Sequence, residues 1–169
     1  NLNPLVSIYI VNHNYGRYLK ECIESVLNQT YINFELLIID NESKDNSKDI
    51  LLNYMDHSKI RVLFQKNIGL NRTNNVAINN TNGAYIMRID ADDYLHTSAI
   101  EIMINIFVKD NEIGLVFPDY YLVNDESEEI SIFRRHDFNE VNLLNQPAHG
   151  ACTMIRRHCL EALNGYDES

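Results

Sequence analysis

The sequence predicts an α/β domain: a mostly parallel central sheet flanked by helices, with a C-terminal hairpin and short-helix region. Two features carry that expectation. Short β-branched apolar runs alternate with amphipathic stripes at helical spacing. Four such βα alternations fit into a little over a hundred residues. The alternation indicates a mostly parallel sheet covered by helices on both faces.

Leu5–Val11 is the first β-branched run. Leu19, Cys22, Ile23, Val26 and Leu27 follow at i, i+3, i+4, i+7 and i+8, the stripe of an amphipathic helix. Phe34–Asp40 is the second strand and ends on a carboxylate. A helix is expected from Asn46 to Asp56, with Leu51, Tyr54 and Met55 on one face, and Ile60–Gln65 is the third strand. Leu70–Asn80 has helical spacing at Leu70, Thr73 and Ala77, although its many Asn residues are poor helix formers. Ala84–Ile89 is the fourth strand. Ile100, Met103, Ile104, Phe107 and Val108 mark the next helix, with Ser98 and Glu101 spaced as a capping box, and Ile113–Pro118 is a fifth strand. Beyond Pro118, Tyr120–Val123 and Glu129–Arg134 flank Asn124–Ser127 as a hairpin. A short helix is expected over Asn139–Leu144, a strand over Ala151–Ile155 and a last helix over Arg157–Leu163.

The chain has 169 residues, 45% hydrophobic and 22% charged, with a net charge of −10. That is ordinary globular composition for one domain with a sizeable core. The acidic balance excludes nucleic acid as partner and a polybasic membrane patch. No apolar run reaches the roughly 18 residues of a membrane span. Cys22, Cys152 and Cys159 form no CxxC pair and read as reduced thiols of a cytosolic-type protein. The sequence opens on Asn1 rather than Met, as a trimmed or excised domain would.

Ligands of open α/β sheets sit beyond the carboxyl ends of the strands. Three of these ends are polar: Asn12-His13-Asn14-Tyr15, Asp40-Asn41-Glu42-Ser43 and Asp90-Ala91-Asp92-Asp93. Right-handed crossovers bring all three to one edge. The glycine-rich phosphate loops are absent, since the first βα turn carries Gly16 alone. A divalent cation on Asp90 and Asp92 is the remaining way to neutralise phosphate. Each residue also has an ordinary reading. Asp40 can hydrogen-bond a base edge or cap the next helix. Asp90 and Asp92 can be Asx-turn residues, and Asp93 a ligand, a helix-side charge or a supporting partner. His13 and His149 can contact ligand or serve structure, and Arg72 can reach a phosphate or lie exposed.

Six segments occur in the order seen in family 2 glycosyltransferases: Val6–Asn14, Ser25–Tyr31, Glu35–Asp40, Asn67-Ile-Gly69, Gly83–Asp93 and Gly165-Tyr-Asp-Glu168. The chain resembles that family over essentially its whole length. The resemblance implies the Rossmann-like GT-A fold and an inverting, metal-dependent transfer from a nucleoside-diphosphate sugar, UDP-sugar favoured. The acceptor would be a glycan or lipid-linked molecule in polysaccharide, lipopolysaccharide or glycolipid synthesis. It implies that Asn12, His13 and Asn14 line base and ribose, that Asp40 holds the base, and that Asn67, Arg72, Asp90 and Ala91 lie at the nucleotide. Asp92, with Asp90, would bind Mn2+ or Mg2+, and His149 and Gly150 would face the acceptor. Residues 1–118 become a nucleotide-binding half and 119–169 an incomplete acceptor-side half. The expected location is cytoplasmic, peripheral to the membrane in the full-length protein.

Departures touch the base and phosphate contacts. Val11-Asn-His-Asn14 stands where Pro-Thr-Tyr-Asn is usual, Asn41-Glu42 where Asp-Gly is usual, and Thr73-Asn74-Asn75 where Ala-Arg-Asn is usual. In the family the general base follows Gly-Tyr-Asp-Glu, so it is expected beyond Ser169, with these residues alone inactive or nearly so. A haloacid-dehalogenase-like phosphatase would need Thr or Val where Tyr94 stands, and a nucleophilic Asp on the first strand. Two more rivals are a metal-dependent nucleotidyltransferase and a non-catalytic, glycosyltransferase-like module that only binds a nucleotide.

Overall fold

The computed structural model describes residues 3–134 and 151–169. The helix expected over Asn139–Leu144 lies outside them. At the centre is β1 (Val6–Asn12), apolar on both faces because helices cover both. Val6, Ile8 and Ile10 face one core with Leu19, Cys22, Ile23 and Val26 of α1 (Gly16–Leu27) and Ile100, Met103, Ile104 and Phe107 of α4 (Ala99–Lys109). Tyr9 faces the other, with Ala77 and Ile78 of α3 (Leu70–Asn79) and Leu160 of α5 (Arg157–Ala162).

β2 (Phe34–Asn41) and β4 (Tyr85–Asp90) flank β1 in parallel, and β3 (Ile60–Gln65) pairs with β2. The six-stranded order is β3-β2-β1-β4-β8-β5. β8 (Met154–Arg156) runs antiparallel between β4 and β5 (Leu115–Val116), so β5 keeps the direction of the parallel strands but does not pair with β4. β5 is also shorter than Ile113–Pro118. Pro118 has no N–H to donate, and the Ile113 carbonyl is taken by the Arg156 guanidinium at 2.7 Å. A separate hairpin, β6 (Tyr120–Val123) with β7 (Glu129–Phe133), forms as expected.

Two helix expectations change. α2 covers only Ser47–Leu52, and Met55 is exposed after it. The Ser98/Glu101 capping box does not form. Ser98 Oγ lies 3.0 Å from His96 Nδ1, and Glu101 accepts from Thr30 Oγ1 at 2.7 Å. The cap comes from outside the helix: Ile100 N–H donates to Gln29 Oε1 at 3.1 Å.

The asparagines of α3 have a tertiary reason. Asn71 Nδ2 donates to the Asp167 carbonyl at 2.7 Å, and Asn75 exchanges bonds with Tyr166 O and N at 2.9 and 2.8 Å. Gly165 is needed there twice. Its φ is +83°, and a Cβ would stand 2.4 Å from Asn75 Oδ1.

Arg156 and Arg157 fasten β8 and α5 to earlier elements. Arg156 also donates to Tyr85 Oη, Phe107 O and Asp110 O, and lies over the Tyr85 and Phe107 rings. Arg157 donates to Gly83 O at 2.6 Å, Ile78 O at 2.9 Å and Thr81 Oγ1 at 2.9 Å. An Arg157→Met variant strips partners from half-buried carbonyls, so urea denaturation should show a loss of about 2–4 kcal/mol. A loss within error would show that solvent replaces those bonds.

Candidate functional site

The carboxyl ends of β2, β1 and β4 lie side by side. Asn12 is in register with Asp40, and Val11 with Asp90. Because strand side chains alternate, the two polar pairs point to opposite faces of the sheet. Asn12 and Asp40 point toward the α1 side, and Arg88 and Asp90 toward the α3 side.

The first two loops are interlocked by hydrogen bonds. Asn12 Nδ2 donates to Asp40 Oδ2 at 2.7 Å and to Ser43 Oγ at 3.0 Å. Asp40 Oδ1 accepts the Ser43 N–H at 3.0 Å, closing the turn beyond β2 rather than capping a helix. Asn14 N donates to Ser43 Oγ, and Lys44 N donates to Asn14 Oδ1 at 2.6 Å. His13 Nδ1–H donates to the Asn41 carbonyl at 2.6 Å, leaving Nε2 to accept from Asn14 Nδ2 at 3.2 Å. Asn14 and Glu42 both sit at φ +63°, the left-handed region that lets each chain turn back over its strand end. Asp40 is 4% exposed and Asn12 is fully buried, so these two form the floor of the site. The buried Asn12 Oδ1 has no partner.

Asp45 ties the loops to both helices that follow, accepting from Gly16 N at 2.8 Å and Ser47 N at 3.0 Å. Burial works against its charge, but these bonds outweigh it and hold its carboxyl below the usual range. A Cβ on Gly16 would collide with Asn46 Oδ1 and Asp45 Oδ2, which explains the glycine here without any phosphate loop.

At the end of β4, Arg88 stands beside Asp90, with Nε 3.0 Å from Oδ1 and Nη2 donating to Oδ2 at 3.3 Å. The Nε contact is an ion pair without hydrogen-bond alignment. Ala91, expected at the nucleotide, is buried in the core, and its methyl is the spacer that turns Asp92 outward. Asp92 and Asp93 are exposed, in a turn closed by Asp93 N–H to Asp90 O at 3.0 Å. The Asp93 carboxyl is pushed up to about 6, first by desolvation, then by the charges of Asp90 and Asp92.

These carboxylates line a cleft of about 480 Å³, faced across by Tyr120 and Tyr121 of the hairpin and bounded by Ala151 and Cys152. Tyr120 stacks on Phe133, and the hairpin turn is tied to α1 by Arg17–Asp125 and by Ser127 Oγ to Glu21. Burial, then the neighbouring carboxylates, pushes the Cys152 thiol up to about 12, so it is neutral beside them. The three cysteines are free.

Asn67 and Arg72 are not at this cleft. They lie past β3, where Asn67 Oδ1 accepts from Gly69 N and Arg72 Nε is 3.6 Å from Glu168. His149 and Gly150 lie outside the described residues. Among the described residues no three His, Cys, Asp or Glu side chains group as a metal site. The oxygen-only donor set still fits Mn2+ or Mg2+, since such ions are commonly held by one or two carboxylates plus substrate phosphates and water.

Over residues 7–163 the sequence matches the family described as Glycosyl transferase family 2. The chain belongs to glycosyl transferase family 2. The chondroitin synthase of Escherichia coli is 37% identical over 129 residues, which are 76% of this chain and 19% of that protein. The hyaluronan synthase of Pasteurella multocida is 33% identical over 132 residues, 78% of this chain and 14% of that protein. This family 2 chain therefore spans less than a fifth of either relative. S. aureus TarS 1-349, solved in complex with UDP, superposes with a TM-score of 0.78 at 22% identity, over 96% of this chain and 50% of that one. Mannosyltransferase PcManGT from Pyrobaculum calidifontis, solved with GDP-Man and Mn2+, gives 0.76 at 17%, over 98% and 48%. The fold is the GT-A fold of these proteins.

Several residues at the site lie outside the sequence-based expectation. Arg88 had a signal: a lone cation in an apolar strand, two residues before a carboxylate and so on its face. Ser43 and Asp45 had none beyond being polar loop residues.

With no metal added, Asp93 is protonated in the fold at a pH where an unfolded carboxyl, near 3.8, has released its proton. Its charge therefore disfavours folding above about pH 6, and that penalty fades as pH falls toward 4. Asp93→Asn should raise Tm at pH 8 and give no gain at pH 4. A lower Tm at pH 8 would show that the charge is instead stabilised.

Proposed function

We propose that this chain is the nucleotide-sugar-binding portion of an inverting, metal-dependent glycosyltransferase. Its donor is a nucleoside-diphosphate sugar, UDP-sugar favoured, and its acceptor a glycan or lipid-linked molecule in polysaccharide, lipopolysaccharide or glycolipid synthesis. The observation that carries this is the placement of the Asn12–Asp40 pair and the Asp90–Asp92 turn at the ends of adjacent strands, with the carboxylates of the turn lining the cleft. UDP in TarS and GDP-Man with Mn2+ in PcManGT support the donor class and the ion. The chondroitin and hyaluronan synthases support polymer synthesis.

In this reading residues 1–118 take the nucleotide. The rigid Asn12–Asn14 loop lines base and ribose, and Asp40 fixes that loop while accepting from the base. Arg88 orients Asp90, and Asp92, facing the cleft, is the principal ligand of Mn2+ or Mg2+. The bound ion supplies positive charge to the departing diphosphate. Residues 119–169 shape the acceptor side, with Tyr120 and Tyr121 offering flat faces to a sugar ring. Arg72 reaches phosphate only by leaving Glu168. No helix among the described residues is long and apolar enough to cross a membrane. The donor class places the work in the cytoplasm, peripheral to the membrane where the acceptor is lipid-linked.

Calorimetry with UDP and GDP, each with and without Mn2+, tests this. UDP should bind, and Mn2+ should tighten it. Asp92→Ala should remove that tightening, a loss of about tenfold or more for a deleted carboxylate–ion contact. Equal UDP affinity with and without Mn2+ would sink the metal role, and no binding of either nucleotide would sink the donor class.

A further inference from the structure

The segment Ser25-Val-Leu-Asn-Gln-Thr-Tyr31 lies away from the cleft, and no ligand role falls to it. Its Ser25 and Gln29, with Cys22 one turn before them, converge on one target, the backbone between Asp90 and Ile100. Cys22, Ser25 and Gln29 are spaced i, i+3 and i+7, so they form a single ridge along α1 and the turn that ends it.

Each holds a different point of that backbone. Cys22 Sγ donates to the Asp90 carbonyl at 3.4 Å. Ser25 Oγ accepts the Leu95 N–H at 3.0 Å while donating to the Cys22 carbonyl at 2.7 Å. Gln29 commits its whole amide to this task. Nε2 donates to the His96 carbonyl at 2.8 Å and to the Ser25 carbonyl at 3.0 Å, and Oε1 accepts the Ile100 N–H at 3.1 Å. Thr30 N–H adds a bond to the Thr97 carbonyl at 2.9 Å. Gln29 is 6% exposed, so these bonds are shielded from competing water. Ser98, the residue spaced to cap α4, makes no cap, and Gln29 does its work.

The result is an arch. Ala91 stands at one foot, Leu95 and Ile100 at the other, both feet packed in the core, and Asp92, Asp93 and Tyr94 form the exposed span. We propose that Ser25 and Gln29 are positioning residues for the carboxylate turn: by fixing the backbone of Leu95, His96 and Ile100, they set where Asp92 is presented. This rests on the metal role assigned to Asp92 above. It adds that the ion's geometry is set from α1, through main chain, rather than by a side chain bonded to Asp92.

The experiment compares the parent with Ser25→Ala, Gln29→Leu and Ser25→Thr, the last keeping the hydroxyl. Two quantities are measured: amide hydrogen exchange at Leu95 and Ile100, and the ratio of UDP affinities with and without Mn2+. In Ser25→Ala the Leu95 amide should exchange faster, and in Gln29→Leu the Ile100 amide, with the amides of β1 and β2 unchanged. The Mn2+ ratio should fall about tenfold in both, as for other groups that orient metal ligands, while metal-free UDP affinity stays within about twofold. Ser25→Thr should restore the ratio. Unchanged exchange, an unchanged ratio, or a fall in metal-free affinity equal to the fall with Mn2+ would overturn the inference; the last would mark a general packing role. A parent lacking any Mn2+ ratio would instead overturn the metal reading itself. A parent with the ratio whose variants all keep it overturns only this one.

Discussion

Two adjacent arginines hold the last part of the chain against the rest. Arg156 fills the C-terminal end of α4 and Arg157 that of α3. A helix ends with unpaired carbonyls and a partial negative charge, so a half-buried guanidinium can be satisfied there without a carboxylate. The five-donor fork suits this, because each arginine must reach acceptors on two or three elements at once. The part of the cleft wall that precedes β8 depends on it. These bonds keep β8 between β4 and β5, and β8 places the Cys152 N–H on the Arg88 carbonyl at 2.7 Å. Without them the wall at Ala151 and Cys152 would have nothing to stand on.

The site is organised before any ligand arrives. The three strand ends differ in how they achieve this. Asn12 and Asp40 are buried and bonded to each other and to Ser43, so the side proposed to take the base is a fixed surface. Asp90 is half-exposed and balanced by Arg88. Asp92 and Asp93 stand free on a short turn. Internal bonding therefore falls from the floor toward the cleft, and the carboxylates proposed to hold a cation are those with the least internal commitment. That gradient follows from the pleat: alternate residues at a strand end go to opposite faces, and only the residues past the end are free to face outward.

Much of this is legible in the sequence. The parallel core is, because strands buried on both faces cannot hide their apolar runs, and the loops follow once the strand ends are placed. The position of β8 is not. The sequence marks a strand over Ala151–Ile155, but only pairing with distant strands sets β8 antiparallel between β4 and β5. The cap of α4 is hidden for a related reason. Ser98 and Glu101 have the right spacing, but the true partner, Gln29, is 71 residues away. The neighbours of Ala91 in the motif put it at the ligand. Its burial shows that a motif's spacer residue can be there to make the turn. Segment order draws Arg72 to the nucleotide, and the fold places it on α3, beside Glu168 and outside the lining of the carboxylate cleft.

The asparagine-studded α3 has a consequence for how the molecule holds together. A helix of that composition is weak alone, and its polar side chains gain their partners only when Gly165–Glu168 lies against them. Thr73 of the same helix is bonded to Asn41 at the end of β2, and Gln65 of β3 joins that cluster. The chain's last turn and its second strand thus belong to one cooperative unit, although more than a hundred residues separate them. Loosening either end should be felt at the other as a loss of helix, so local unfolding on this face would be all-or-none rather than gradual.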